Sequence, residues 1–172
     1  MSAQANSQPL VRIMGRGGFP GRKAQNLHDL HPLIEKAYFL CQNQADHYPI
    51  DLFRQFAKMN HIPLETRIVE DGWFSELELP TDLMEALAQT LARFPDTPLA
   101  VRSSEQKECG GTGIFRTTFY VPPEKAGTEL GALANAVLQV YGSLWKDGLA
   151  YRTKHESSGM GLRIEPVIGE RT

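Results

Sequence analysis

The sequence contains little cysteine, and this scarcity excludes two kinds of site. The two cysteines, Cys41 and Cys109, lie far apart and form no Cys-x-x-Cys pair. Two separated thiols are too few for a disulfide framework or for a cysteine-based zinc site. Because a chain without structural disulfides suits a reducing compartment, we expect the protein in the cytoplasm.

Long apolar runs and a strong net charge are also missing. No apolar run approaches the roughly 20 residues needed to cross a membrane, and residues 1–8 are polar, without the apolar centre of a signal peptide. We predict that this segment is a disordered tail. The formal net charge of −2 gives no reason to expect nucleic acid or an anionic membrane as a partner. Any anion-binding site must therefore be local.

The chain has enough apolar residues, 41% of 172, for a folded core, and we predict one domain over residues 9–172. Short apolar runs alternate with longer segments whose apolar residues recur at helical spacing. Strands are predicted at 10–14, 37–41, 97–103 and 162–168, with another ending at 121, and helices at 49–59, 80–94 and 128–145. This mixture predicts the α+β class, with helices packed on a mixed sheet.

The most informative stretch spans residues 98–121. Its apolar start at 99–101 predicts a strand, and this strand carries Arg102, whose side chain is always positively charged. A glycine-rich turn follows at Gly110, Gly111, Thr112 and Gly113. Glycines let backbone N–H groups approach phosphate oxygens, and a planar guanidinium fits phosphate with two hydrogen bonds. The stretch predicts an anion site, although a plain hairpin with Arg102 in a surface ion pair fits the same residues.

A second glycine-rich segment spans residues 15–23 and ends in Lys23. It is not a P-loop, because no serine or threonine follows a Gly-Lys pair. A helix is predicted to start at Ala24, which would place Lys23 and free backbone N–H groups at a helix N-terminus, where anions are favoured. A turn with a solvated lysine is the alternative.

Both segments resemble one protein family. Val101-Arg102-Ser103-Ser104, followed by Gly113-Ile114-Phe115-Arg116-Thr117, resembles the nucleotide-binding N-terminal domain of phosphoenolpyruvate synthase and pyruvate phosphate dikinase. The segment Gly21-Arg22-Lys23-Ala24-x-Asn26-Leu27 is similar to the opening motif of that domain. The resemblance implies the first lobe of an ATP-grasp fold.

The resemblance also implies which residues would bind the nucleotide, with ATP as the cofactor. Lys23 and Arg102 would contact its phosphates, and the turn at residues 110–113 would cover them. Glu165 and Val167, in a strand similar to the family's strand before the hinge, would hold the adenine. Magnesium would be held by residues outside this chain. An ordinary edge-strand charge is the alternative interpretation of Glu165.

The implied function is that of an ATP-binding lobe of a dikinase-like phosphotransferase, whose parent reaction phosphorylates an enzyme histidine. Because the sequence stops at Thr172, we expect a second ATP-grasp lobe and a phosphohistidine domain as missing partners, and no activity from this lobe alone. We assign no residue of this chain to catalysis or to a metal. A stand-alone, non-catalytic binding or regulatory module is the alternative, since Arg22, Arg116 and Glu165 depart from the family's pattern near the nucleotide.

Overall fold

A five-stranded sheet with packed helices forms the described part of the fold. The computed structural model describes residues 11–15, 18–22, 24–26, 29, 44–64, 73–105, 116–146 and 159–167. The strands are β1 (Val11–Ile13), β2 (Ala45–Tyr48), β3 (Leu99–Glu105), β4 (Thr117–Tyr120) and β5 (Met160–Pro166). The longer helices are α1 (Ile50–Met59), α2 (Thr81–Arg93) and α3 (Glu129–Lys146), with a short 3-10 helix at Trp73–Glu76.

The sheet is mixed, with the strand order β1-β2-β5-β3-β4. β1 and β2 run parallel, whereas the other neighbouring pairs are antiparallel. β5 is therefore the central strand, although it comes last in the sequence. In the registers of β5 with its neighbours, Arg163 lies opposite both His47 and Arg102, and Glu165 lies opposite Ala100. The mixed sheet with packed helices confirms the predicted α+β class.

Most of the predicted elements overlap observed ones. Helices α1 and α2 begin directly after Pro49 and Pro80, because proline lacks the N–H group that a helix interior needs but is tolerated at a helix start. The sequence pattern does not predict β2, because Asp46 and His47 interrupt the apolar run expected of a buried strand. The predicted tail at 1–8 and the predicted strand at 37–41 lie outside the described residues.

The hydrophobic core lies between one face of the sheet and the three longer helices. An aromatic cluster joins α1 to α3: the ring of Phe53 lies 5.0 Å from Tyr141 and 5.2 Å from Trp145, and Phe56 lies 5.3 Å from Tyr141. Phe53 meets Tyr141 edge to face and stacks on Trp145, and both arrangements are favoured by aromatic pairs. In the described parts of the chain, no helix is both long enough and apolar enough to cross a membrane.

Asp46 of β2 is a fully buried charge on the helix-covered face of the sheet. Arg12 of β1 donates from Nε to Oδ1 at 2.8 Å and from Nη2 to Oδ2 at 2.6 Å. Arg93 and Thr90 of α2 donate to the same carboxylate, and Thr90 also bonds the hydroxyl of Tyr48. The hydrogen bond to Asp46 raises the pKa of Arg12 above its ordinary value, against the lowering effect of burial. One carboxylate thus ties β1, β2 and α2 together.

We expect Asp46→Asn to lower the free energy of unfolding by about 3 kcal/mol, because loss of one member of a buried ion pair leaves its partners uncompensated. Arg12 and Arg93 would both face a neutral amide. Chemical denaturation of wild type and variant measures the difference. Asp51→Asn is the matched control, since the side chain of Asp51 is 60% exposed and pairs with Arg54 at the surface. Equal losses from the two substitutions would contradict the structural role of Asp46.

Two buried tyrosines give the stability an alkaline pH dependence. Burial raises the pKa of both Tyr48 and Tyr141 above the ordinary value of about 10. Above that pH the unfolded chain loses these protons while the native protein keeps them, so their contribution is complete below about pH 10 and declines as the pH rises. Between about pH 9 and pH 11, we expect the free energy of unfolding to fall by about 1.4 kcal/mol more in the wild type than in Tyr48→Phe. Denaturation at each pH measures the difference. Parallel pH curves for the two proteins would show that Tyr48 does not contribute.

Candidate functional site

The sheet face opposite α1, α2 and α3 carries polar side chains from β2, β3 and β5. Because successive strand residues point to opposite faces, His47, Arg102, Arg163 and Glu165 share this side of the sheet. We call this surface the arginine face. Residues 99–101 are buried, and they fix the backbone that carries Arg102 as the sequence predicts.

Glu165 holds both arginines of the arginine face. Arg102 donates from Nε to Glu165 Oε1 at 2.8 Å, and Arg163 donates from Nε to Glu165 Oε2 at 2.7 Å. The side chains of Arg102, Glu165 and Arg163 are 43%, 16% and 9% exposed, so only Arg102 is open to a ligand in solution. Two guanidinium charges share one carboxylate, which leaves a net positive charge on this group of three residues. The arrangement can bind an anion at its solvent side.

His47 supports Arg163 from the β2 side. The Nη1 atom of Arg163 lies 2.8 Å from Nε2 of His47, and both residues are buried. Arginine has only donors, so Nε2 of His47 is the acceptor and carries no proton. The contact fixes Arg163 to the sheet and restricts the movement of its guanidinium.

The glycine-rich turn that precedes Lys23 lies directly against the sheet. Gly21 has a φ of +91°, and a Cβ atom at this position would overlap the backbone carbonyl of Ser104. A Cβ at Gly161 would overlap the carbonyl of Pro20 in the same turn. The N–H group of Ala24 donates to Oγ of Ser104 at 3.0 Å. Ser104 therefore accepts a hydrogen bond from one of the N–H groups at the helix N-terminus that the sequence predicts as anion donors.

The structure brings together some of the predicted site residues. Arg102 and Glu165 are in direct contact, so the ion pair considered as an alternative for Arg102 is present, with Glu165 as its partner. Val167 directly follows β5, and its N–H group donates to the carbonyl of Pro98 at 2.9 Å. Lys23, Gly110, Gly111, Thr112 and Gly113 lie outside the described residues.

Arg163 and His47 are not predicted as site residues from the sequence. Arg163 stands two positions before Glu165 in the sequence LRIEP, and residues two apart in a strand share a face. That spacing was a usable signal for a pair of opposite charges. His47 had no such signal, because its contact with Arg163 depends on the pairing of β2 with β5.

Neither a metal site nor a similar known protein identifies what this site does. In the described ranges, no group of three or more His, Cys, Asp or Glu side chains is arranged to hold a metal ion. The chain matches no family model and no curated protein.

The close packing of the turn predicts opposite effects for two glycine substitutions. We expect Gly21→Ala to lower the free energy of unfolding by about 2 kcal/mol, because a side chain there is strained at positive φ and clashes with Ser104. Gly131→Ala is the matched control, since a Cβ at this position in α3 meets no atom within 4 Å and should leave stability unchanged or raise it by about 0.5 kcal/mol. Chemical denaturation measures both changes. A tolerated Gly21→Ala would show that the turn does not need its close approach to β3.

Proposed function

We propose that the chain is the ATP-binding lobe of a phosphotransferase similar to phosphoenolpyruvate synthase and pyruvate phosphate dikinase, built as the first lobe of an ATP-grasp fold. One observation supports this most strongly: the turn at Gly21 lies against the end of β3 at Ser104. These are two of the segments that carry the sequence resemblance, and the hydrogen bond between Ala24 and Ser104 joins residues 80 positions apart. A contact between these two segments is expected if the resemblance reflects a shared fold.

The phosphates of ATP would lie at the solvent side of the arginine face. Arg102 offers an exposed guanidinium there, and Ser104 of the same strand accepts a hydrogen bond from the N–H group of Ala24, the residue after Lys23. A fixed guanidinium and the amino group of a lysine are the donor types that bind phosphate oxygens. By the resemblance, the residues at 110–113, which follow β3 in the sequence, would cover the phosphates. Bound ATP would supply the transferable phosphoryl group.

The adenine would lie at the C-terminal end of β5. The N–H group of Val167 donates to Pro98 and is not available to the adenine ring, whereas the carbonyl oxygen of Val167 can accept a hydrogen bond from the adenine amine. The side chain of Val167 is 42% exposed and offers apolar contact to a purine ring. Glu165 could also accept a hydrogen bond from that amine, provided that it releases an arginine.

A non-catalytic binding or regulatory module with the same fold is the second candidate. The observation that favours it is the ion pair of Arg102 with Glu165, which already neutralises part of the positive charge that a nucleotide would need. Such a module would still bind an anion at the arginine face, but without a phosphoryl acceptor. We extend the expectation of a cytoplasmic location to both candidates, because two cysteines are too few for a disulfide framework.

Calorimetric titration with ATP and Mg²⁺ tests the proposed function. We expect Lys23→Ala and Arg102→Ala each to weaken ATP binding about tenfold, the factor that corresponds to one charge-assisted hydrogen bond to phosphate. Arg102→Lys should restore only part of the affinity, because lysine cannot donate two parallel bonds. Lys58→Ala removes one exposed positive charge from α1, on the other side of the sheet, and is the matched control.

Two results would count against this function. If Arg102→Ala leaves ATP affinity unchanged but lowers the melting temperature, Arg102 is a structural ion-pair residue. If Lys58→Ala weakens binding as much as Lys23→Ala, the nucleotide responds to overall charge and no specific phosphate site exists.

A further inference from the structure

We propose that Glu165 is an internal anion that holds Arg102 and Arg163 until an oligophosphate group displaces it, so that Arg163 is the second cation of the phosphate site. The inference rests on the proposed function, because it assumes that phosphates bind at the arginine face. It assigns Glu165 to the phosphate end of the ligand and adds a residue, Arg163, that the sequence resemblance does not include.

The sheet register places two like charges at a position where they repel. Arg102 of β3 and Arg163 of β5 lie directly opposite each other on one face, an arrangement that is destabilising for like charges. Glu165 follows Arg163 by two residues and reaches both guanidinium groups, one with each carboxylate oxygen. The single negative charge therefore makes the pair of arginines possible in the absence of a ligand.

Arg102, Arg163 and Glu165 together carry a net positive charge, which favours replacement of the carboxylate by a more negative oligophosphate. One carboxylate compensates two guanidinium groups, whereas an oligophosphate brings at least two negative charges and several acceptor oxygens. Glu165 is 16% exposed and Arg102 is 43% exposed, so the ion pair between them is open to water and weak. An incoming phosphate can replace the carboxylate at Arg102 first.

Arg163 is prepared for the same exchange. Its side chain is only 9% exposed and is held by His47 on the side away from Glu165, so it keeps its place when the carboxylate leaves. Rotation of the Glu165 side chain towards solvent would uncover the edge of Arg163 that now faces the carboxylate. The phosphate would then be bound by two guanidinium groups of neighbouring strands.

Titration with inorganic tripolyphosphate tests this role without any contribution from adenine. Glu165→Gln keeps the size of the side chain and removes its charge, so we expect it to tighten tripolyphosphate binding by at least about twofold, because neither ion pair of Glu165 then has to break. Glu85→Gln removes the same charge from the exposed side of α2, beyond the opposite face of the sheet, and should leave the affinity unchanged. In protein that retains Glu165, Arg163→Gln should weaken tripolyphosphate binding, as Arg102→Gln does.

The other outcomes separate this inference from the proposed function. If Glu165→Gln weakens ATP binding and leaves tripolyphosphate binding unchanged, Glu165 contacts the base, and the inference is wrong while the nucleotide function stands. If tripolyphosphate binds more tightly to the variant but ATP binds no better than tripolyphosphate, the internal anion is supported and the nucleotide function is not. If tripolyphosphate binds neither protein, both proposals are overturned.

A measurement on the wild type covers the case in which Glu165→Gln does not fold. The Nε–H groups of Arg102 and Arg163 both donate to Glu165, so their ¹⁵N NMR signals report on the carboxylate. We expect both signals to shift when tripolyphosphate is added. A shift at Arg102 alone, or at neither arginine, would show that the carboxylate is not displaced from Arg163.

Discussion

The buried carboxylate of Asp46 is the interaction on which the described architecture depends. A charge without contact to water is tolerated only when its partners satisfy it fully. Here the partners come from β1 and from α2, through Arg12, Arg93 and Thr90. Because the same β2 strand presents His47 on the opposite face, the position of Asp46 also sets the position of the support behind Arg163. The helix-covered face thereby determines the geometry of the candidate site.

Each face of the sheet holds two arginines around one carboxylate, but the two carboxylates differ in their exposure to water. On the helix-covered face, two arginines surround a carboxylate that is fully buried. On the arginine face, two arginines surround a carboxylate that retains access to water. The first arrangement is rigid because the carboxylate has no alternative partner, whereas the second can exchange its anion for a solvent-borne one. The difference in exposure is therefore what makes one face structural and the other a candidate for binding.

The sequence predicts this fold well where apolar periodicity is strong. Helices α1 and α2 follow from the spacing of residues such as Phe53 and Leu87, and β3 follows from its short apolar start. β2 cannot be predicted in this way, because Asp46 and His47 make its sequence polar although both side chains are buried in the structure. The site is predicted in part: Arg102 stands out as a cation at the end of an apolar run. The contact of Arg102 with Glu165 depends on strand pairing over 63 residues, which local sequence does not encode.

The central position of the last strand has a consequence for synthesis. β1 pairs with β2 and β3 pairs with β4, but β5 is the strand that joins these two halves. A chain leaving the ribosome from its N-terminus can form each half early, yet the sheet stays divided until residues 160–166 have emerged. Such late, long-range pairing slows folding and leaves the facing edges of β2 and β3 exposed to other chains in the meantime. The nascent protein is therefore vulnerable to aggregation until β5 is inserted between β2 and β3.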